Sequence, residues 1–386
     1  MPTVSVIIVS YNVRHYVEQC LNSVMRSVPD AQLIVVDNCS KDGSVDYLKQ
    51  RFPDARIIAN HENAGFGRAN NMALSMVQGR YVLFLNPDTV VAEKTIPRCI
   101  EYMDSHPLTG AVGVKMMYAD GCFAPESRRS LPTPSVAFWH MTGIGRIFPK
   151  SRVFAKYHLS YEDPDKECPI DIVSGAYMFV RKNALDVTGG FDESFFMYGE
   201  DIDLSYRIKI AGYQNIYLPV PIIHYKGEST VKTSYNYAKV FYDAMLIFFN
   251  KHFRRSARII APLVRLVVGI KKIGTFMAEN LFRHRRNATG RRVKCLFLGR
   301  EESFRQALPL FGNSSVLSFP ALMPCTDSIP NNLELDGIET IVFDTGVFTY
   351  DTILEWLYIL YGKGHRITAG FYSPDSGRLI TDIEVL

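Results

Sequence analysis

Polar residues that can bind ligands or transfer protons follow four separate apolar runs near the start of the chain. They are Ser10 and Asn12, then Asp37, then the stretch 63–70, and then Asn86 with Asp88. Carboxylate and amide oxygens accept hydrogen bonds and coordinate hard divalent cations such as Mg²⁺ or Mn²⁺. A single Asn or Asp of this kind is often only turn chemistry. The shared position of these residues after apolar runs instead favours one polar crevice.

A second acidic cluster lies further along the chain, at Glu200 and Asp201. The apolar spacing after these residues predicts a helix that begins near Glu200 and ends near Gly212. The positive end of a helix dipole stabilises an ionised carboxylate, so this position favours the charged form of these acids.

The apolar runs predict the strands that position the first group of residues. These strands are Val4–Ser10, Gln32–Asp37, Arg56–Ala59 and Tyr81–Leu85. Apolar residues between them keep helical spacing, as in Val17, Cys20, Leu21 and Val24. Alternating strands and helices predict a doubly wound α/β sheet. Ligands of such sheets bind beyond the carboxyl ends of the strands, which is where the polar residues stand.

Six motifs, in this order and spacing, resemble the family 2 glycosyltransferases with the GT-A fold. They are VSVIIVSYN, VVDNCSKDGS, ENAGFGRANN, LFLNPD, SGAYMFVRK and GGFDESFFMYGEDIDLSYR. The set is most similar to the rhamnosyltransferase-like branch that builds bacterial surface polysaccharides. The resemblance implies an inverting transfer of a sugar from a UDP- or dTDP-linked donor to a hydroxyl of a lipid-linked saccharide.

The same resemblance implies roles for individual residues. Donor contacts fall on Ser10, Asn12, Asp37, Asn63, Gly65, Asn70 and Asn86, metal ligands on Asp88 and His224, and the catalytic acids on Glu200 and Asp201. In this scheme Asp37 accepts from the ring N–H of uracil or thymine, an edge that both bases share. The two glycines of the Asn63–Gly67 turn would let the backbone approach the ligand closely. The resemblance implies that Asp201 is the general base of a one-step inverting displacement, although a modest base, because the helix N-terminus favours its ionised form. Asp203 is the alternative base, but two residues along a helix it points about 200° away from Asp201.

Some of these roles leave alternatives open. The family's Asp-x-Asp metal motif is altered here to Asn86-Pro87-Asp88, so Mg²⁺ or Mn²⁺ would rely on substrate phosphates for further ligands. His224 is either a metal ligand or a hydrogen-bonded structural residue. Arg128 and Arg129 either contact phosphates or are solvated loop charges.

The neutral Asn86 also leaves open a catalytically silent sugar-nucleotide-binding or scaffold protein. A nucleotidyltransferase is a further alternative. It lacks support, because no Gly-rich basic loop follows the first strand.

Length and charge distribution predict three regions. At 386 residues the chain exceeds the size at which one core usually stops growing. We expect a catalytic domain over 1–232, a basic amphipathic helical segment over 233–290, and a small Rossmann-like α/β domain of unknown role over 291–386. The net charge is only +4, yet residues 250–296 carry 13 Lys and Arg against one acid, Glu279.

This basic, apolar segment is typical of a helix lying on an anionic membrane surface. The alternative is a helix packed on the protein's own body. Nucleic acid is not expected, because no recognised binding module accompanies the charge. No apolar stretch reaches 18 residues without a charge, and the first residues lack a leader pattern. We therefore expect a cytoplasmic protein, peripheral at the inner face of the membrane.

The C-terminal region repeats the strand–helix pattern. Its predicted strands are Val293–Leu298, Val316–Phe319, Ile338–Asp344 and Arg366–Phe371. No catalytic set stands out there, so an interaction or scaffold role is favoured over ligand sensing. The seven cysteines form no C-x-x-C pair, which favours a reducing compartment.

Overall fold

A computed structural model describes residues 2–225, 234–253, 292–325, 329 and 335–386. Side chains are described within these ranges except for 234–242 and Met141. Of the basic amphipathic helical segment predicted over 233–290, residues 234–252 form a helix, and residues 254–290 lie outside the described residues. No described helix has both the length and the apolarity that crossing a bilayer requires.

The first domain is built on one large mixed sheet. Its strands are β1 (Val4–Ser10), β2 (Gln32–Asp37), β3 (Arg56–Ala59), β4 (Tyr81–Leu85), β5 (Thr89–Val91), β6 (Thr109–Met117), β7 (Cys168–Ile170), β8 (Tyr177–Arg181) and β9 (Gln214–His224). Its helices are α1 (Arg14–Ser27), α2 (Ser44–Arg51), α3 (Phe66–Leu74), α4 (Thr95–Ser105), α5 (Pro134–Thr142), α6 (Ile144–Ile147), α7 (Lys182–Thr188), α8 (Glu200–Ile210) and α9 (Ser234–His252).

The strand order is β3-β2-β1-β4-β8-β6-β9-β5, with β7 paired to β9. The strands β3, β2, β1 and β4 are parallel, which confirms the predicted α/β half. The strand β8 then runs antiparallel to both β4 and β6. Parallel pairing places the carboxyl ends of β1, β2 and β4 at one edge of the sheet, so the residues after them share one side of the domain.

The near-continuous apolar composition of β1 follows from burial on both faces. Alternate residues of β1 enter two different hydrophobic clusters, with Val4, Val6 and Ile8 in one and Ile7 and Val9 in the other. Helices therefore cover both faces of the sheet. This double cover leaves the strand ends as the place where polar side chains of the central strands can meet a ligand.

The C-terminal domain is a second, smaller α/β unit. Its elements are β10 (Cys295–Gly299), α10 (Glu301–Asn313), β11 (Ala321–Pro324), β12 (Thr340–Asp344), α11 (Tyr350–Gly362), β13 (Thr368–Ser373) and β14 (Arg378–Ile380). The order is β11-β10-β12-β13-β14, and only β14 is antiparallel to its neighbour. This topology matches the expected Rossmann-like unit.

The prediction of a strand over Val316–Phe319 is wrong. The Ser314 hydroxyl accepts hydrogen bonds from the N–H groups of Val316 and Leu317, at 3.0 and 2.7 Å. These bonds hold the segment in a turn, and it makes only one isolated bridge, between Leu317 and Val293. The strand β11 therefore begins later, at Ala321.

The two domains pack against each other through a shared hydrophobic cluster. The Glu93 carboxylate accepts hydrogen bonds from the N–H groups of Tyr350 and Asp351, at 3.0 and 2.8 Å, at the start of α11. The Ala369 N–H donates to the Ala119 carbonyl at 2.8 Å. A cavity of about 220 Å³ lies between α1 and the C-terminal sheet, and none of the predicted site residues lines it.

Candidate functional site

The ends of β1 and β2 bring Ser10 and Asp37 into register as direct neighbours. Both side chains are buried. One oxygen of Asp37, Oδ1, accepts from the Ser40 N–H at 2.8 Å. The other, Oδ2, and the Ser10 hydroxyl have no hydrogen-bond partner within the described residues. A buried unpaired polar atom costs about 1–3 kcal/mol, so this pair is typical of a site that a ligand completes.

The predicted donor residue Asn12 links two loops. Its φ of 54° is left-handed, a conformation that Asn tolerates. Its N–H donates to the Ser40 hydroxyl at 2.8 Å, and its Oδ1 accepts from the Lys41 N–H at 2.7 Å. These bonds fix the loop after β1 to the loop after β2, so Asn12 positions the rim of the site.

The turn that leads into α3 is held by its own side chains. Asn63 Oδ1 accepts from the Gly65 N–H at 3.0 Å. Gly65 has a φ of +81°, and a Cβ there would lie 2.6 Å from the Phe196 carbonyl oxygen. The close approach that requires glycine is thus to another loop of this chain. Asn70 donates from Nδ2 to the Phe66 carbonyl at 2.9 Å, while its buried Oδ1 has no partner within the described ranges.

Three polar side chains meet at the end of β4. The register of β5 with β9 places His224 opposite Thr89. As a result, His224 Nε2 lies 3.4 Å from Asp88 Oδ1 and 3.2 Å from Asn86 Nδ2. Asp88 is only 1% exposed. The structure therefore brings together the two predicted metal ligands and the predicted donor residue Asn86.

This donor set fits part of a divalent cation site. One carboxylate and one imidazole are ligands that Mn²⁺ accepts, and the Asn86 side chain adds a neutral oxygen. Within the described residues, no group of three His, Cys, Asp or Glu side chains forms a complete site. A cation here would need oxygens from a substrate to fill its coordination sphere.

The two predicted catalytic acids occupy the first turn of α8, as expected. Asp201 Oδ2 accepts from Arg129 Nη2 at 2.5 Å and from the Gly175 N–H at 3.0 Å. Glu200 is 6% exposed, and its Oε2 has no hydrogen-bond partner in the part of the chain that is described. Burial, reinforced by the charge of Asp201, raises the pKa of Glu200 well above its usual range.

The two neighbouring arginines have different surroundings. Burial opposes the charge of Arg129, yet the Asp201 carboxylate raises the pKa of Arg129 above its usual range. Arg128 donates to the carbonyls of Asp163 and Glu162, at 2.8 and 3.1 Å. Arg129 therefore belongs to the acidic site, whereas Arg128 supports a loop. The sequence left both roles open, because the partners of these residues lie more than 30 positions away.

The alternative base, Asp203, is engaged elsewhere. Its fully buried carboxylate accepts from Arg207 at 2.6 Å and pairs with Lys251 and His252 of α9, at 2.8 and 2.6 Å. This network fixes α9 to α8. Although burial opposes ionisation, these partners lower the pKa of Asp203. Asp203 is thus a structural acid.

A short loop links the acidic pair to the residues at the end of β4. The Asn86 N–H donates to the Ala176 carbonyl at 3.0 Å, and the adjacent Gly175 N–H binds Asp201. The SGAYMFV motif marked this loop in the sequence but did not indicate the contacts. The loop places Asp201 and Asn86 at the same edge of the sheet, two hydrogen bonds apart.

Comparison with known proteins agrees with the six sequence motifs. Residues 5–187 match the family model described as Glycosyl transferase family 2. The chain is 27% identical over 257 residues to N-acetylglucosaminyl-diphospho-decaprenol L-rhamnosyltransferase of Mycobacterium tuberculosis, covering 63% of this chain and 82% of that protein. It is also 27% identical over 241 residues to Rhamnosyltransferase WbbL of Escherichia coli K12, covering 58% of this chain and 83% of that protein.

Solved structures with similarity include the mannosyltransferase PcManGT from Pyrobaculum calidifontis in complex with GDP-Man and Mn²⁺. The identity is 20%, the coverage is 66% of this chain and 64% of that chain, and the TM-score is 0.44.

Proposed function

We propose that this chain, which is a family 2 glycosyltransferase similar to bacterial rhamnosyltransferases, transfers a sugar from a UDP- or dTDP-linked donor to a lipid-linked saccharide with inversion. The name of the M. tuberculosis relative supports the acceptor class, because it describes transfer to N-acetylglucosaminyl-diphospho-decaprenol. The observation that carries the proposal is the meeting of Asp88, His224 and Asp201, from distant parts of the chain, at one edge of the sheet. We place the reaction at the cytoplasmic face of the membrane.

The donor nucleotide binds beyond β1 and β2 in this proposal. The unpaired Oδ2 of Asp37 accepts a hydrogen bond from the ring N–H of the pyrimidine. The Ser10 hydroxyl and Asn70 Oδ1, which are also buried without partners among the described residues, offer further polar contacts. Adenine and cytosine carry no ring N–H that could donate to Asp37, so uracil and thymine nucleotides are favoured over both.

The diphosphate lies near Asp88 and His224, which would hold a divalent cation with help from Asn86. A cation bound there supplies positive charge that stabilises the developing negative charge of the leaving diphosphate. The protein's part is to fix Asp88, which is nearly inaccessible to solvent and lies 3.4 Å from the His224 ring. The single carboxylate implies that cation and donor bind together.

Asp201 takes the proton from the acceptor hydroxyl. The Arg129 guanidinium and the Gly175 N–H both bind Asp201 Oδ2 and fix the orientation of the carboxylate. Stabilisation of the leaving group by a bound cation would supply much of the rate enhancement. Glu200, with its raised pKa, keeps a proton to higher pH and can donate a hydrogen bond to a sugar hydroxyl.

A thermal-shift screen tests the donor assignment. The full chain is heated with UDP-, dTDP- and GDP-sugars, each with Mn²⁺, with Mg²⁺ or with a chelator. We expect stabilisation by a UDP- or dTDP-sugar that disappears with the chelator, and slow donor hydrolysis under the stabilising condition. Binding without any hydrolysis or transfer would favour the silent sugar-nucleotide-binding alternative that the neutral Asn86 suggests.

A further inference from the structure

An exposed apolar tip projects from the region between the 3₁₀ turn at Pro125–Ser127 and β7. Within residues 144–153, which we name the tip segment, Ile147, Phe148 and Val153 are 71%, 53% and 61% exposed. Large apolar side chains with this degree of exposure, grouped within ten residues of the chain, mark a surface that binds a partner or a membrane.

The tip segment is also basic. Arg146, Lys150 and Arg152 are exposed beside its apolar residues. No Asp or Glu occurs in the sequence between Glu126 and Glu162, so no neighbouring acid along the chain offsets these charges. Exposed apolar side chains flanked by Lys and Arg are the pattern that anionic membrane surfaces bind.

The tip segment is connected directly to the acidic site. The excursion that carries it is closed at its base by the hydrogen bond from the Ser130 N–H to the Tyr157 carbonyl, at 2.9 Å. The residue before Ser130 is Arg129, the partner of Asp201. Whatever the tip binds is therefore attached through the base of this excursion to Arg129, which contacts the proposed base Asp201.

An aromatic cluster supports the tip from within. The Trp139 ring lies 4.8 Å from the rings of both Phe138 and Phe154, and Phe148 lies 5.8 Å from Phe154. The Phe148 N–H donates to the Ile144 carbonyl at 3.1 Å. The aromatic contacts support the tip segment, while Ile147 and Phe148 remain exposed.

We propose that the tip segment docks on anionic phospholipid, with Ile147, Phe148 and Val153 in the headgroup region and its three cations on lipid phosphates. The docking rests on the proposed function insofar as it presents Asp201 to an acceptor held in the bilayer. Charge argues against an occupant from within this chain. Residues 254–291 carry ten Lys and Arg against one acid, the same sign as the tip segment.

Co-sedimentation of the full chain with phosphatidylglycerol–phosphatidylcholine vesicles tests this docking. The variant is Ile147→Glu with Phe148→Glu. The matched control, Val187→Glu with Ile210→Glu, makes the same charge change at residues that are 69% and 64% exposed. Those control residues flank the starts of β4 and β6, at the opposite edge of the sheet.

We expect the tip variant to bind vesicles about tenfold more weakly than the control, and wild-type binding to fall with added salt. Equal binding by the tip variant and the control would overturn the docking. So would a wild-type dimer that the tip variant alone converts to monomer, since a second copy would then be the occupant. Donor hydrolysis in water is measured in parallel. If the wild-type protein shows no donor hydrolysis, the proposed function, and not the docking, is refuted.

Discussion

At the residue scale, cation binding depends on the small number of charged side chains near the proposed diphosphate position. Asp88 and His224 face each other with the neutral Asn86 beside them. We predict that Asp88→Ala abolishes the cation-dependent part of the thermal shift with donor, since it removes the one carboxylate of the set. The control is Asp104→Ala, an acid on α4 that pairs with Arg80 away from the site. An unchanged cation dependence in Asp88→Ala would place the cation elsewhere.

Glu200 makes the stability of the protein depend on pH in a predictable direction. A carboxyl whose pKa is higher in the folded than in the unfolded state binds more protons when folded, so its contribution to stability falls as pH rises above the unfolded value. Glu200→Gln keeps the neutral shape and removes this loss. We predict that the variant gains melting temperature relative to wild type as pH rises from about 5 to about 8.

The comparison variant for this pH series is Glu101→Gln, at an exposed glutamate of α4. Its melting temperature should follow that of wild type across the series. If the melting temperatures of Glu200→Gln and wild type differ by the same amount at every pH, Glu200 ionises normally in the folded protein.

At the element scale, the turn into α3 is fixed by the loop before α8. Both Gly65 and Gly143 have φ values near +80°, but only Gly65 meets a backbone atom, the Phe196 carbonyl. We predict that Gly143→Ala costs about 1 kcal/mol from backbone strain alone. Gly65→Ala should cost more and should weaken donor binding, because Asn63 and α3 must move. Chemical denaturation and donor thermal shifts measure both effects, and equal losses at the two glycines would show that the Phe196 contact is unimportant.

The elements that the sequence predicts well are those defined by local patterns. The strands β1 to β4 follow from apolar runs, and the start of α8 follows from the periodicity after Glu200. Residue contacts across long separations were not predictable. The pairing of Arg129 with Asp201, for example, joins residues 72 positions apart. The strand predicted over Val316–Phe319 fails for a local reason, because the Ser314 hydroxyl accepts from the N–H groups of Val316 and Leu317. The metal-ligand role of His224 was suggested by resemblance, whereas its 3.4 Å approach to Asp88 depends on the pairing of β5 with β9.

At the scale of the whole molecule, the C-terminal domain is joined to the first domain by charge as well as by apolar packing. Glu93 binds the first N–H groups of α11, where the helix dipole favours a negative charge. We predict that Glu93→Ala lowers the free energy of unfolding by about 1–3 kcal/mol, as expected for unpaired buried N–H groups. Urea denaturation followed by tryptophan fluorescence, to which Trp356 of α11 contributes, measures the change.

Glu355→Ala, at an exposed position of the same helix, is the control and should stay within about 0.5 kcal/mol of wild type. A Glu93→Ala variant that unfolds like Glu355→Ala would mean that apolar packing alone joins the two domains.

The proposed reaction is an inverting sugar transfer with Asp201 as the base. NMR of the product formed from a UDP- or dTDP-sugar and a lipid-linked saccharide tests this reaction, because the spectrum reports the anomeric configuration of the new linkage. We predict a configuration opposite to that of the donor, and an Asp201→Asn variant that still binds donor but forms product about 10²–10⁴-fold more slowly. Retention of the donor configuration, or near-normal product formation by Asp201→Asn, would contradict the inverting reaction with Asp201 as base.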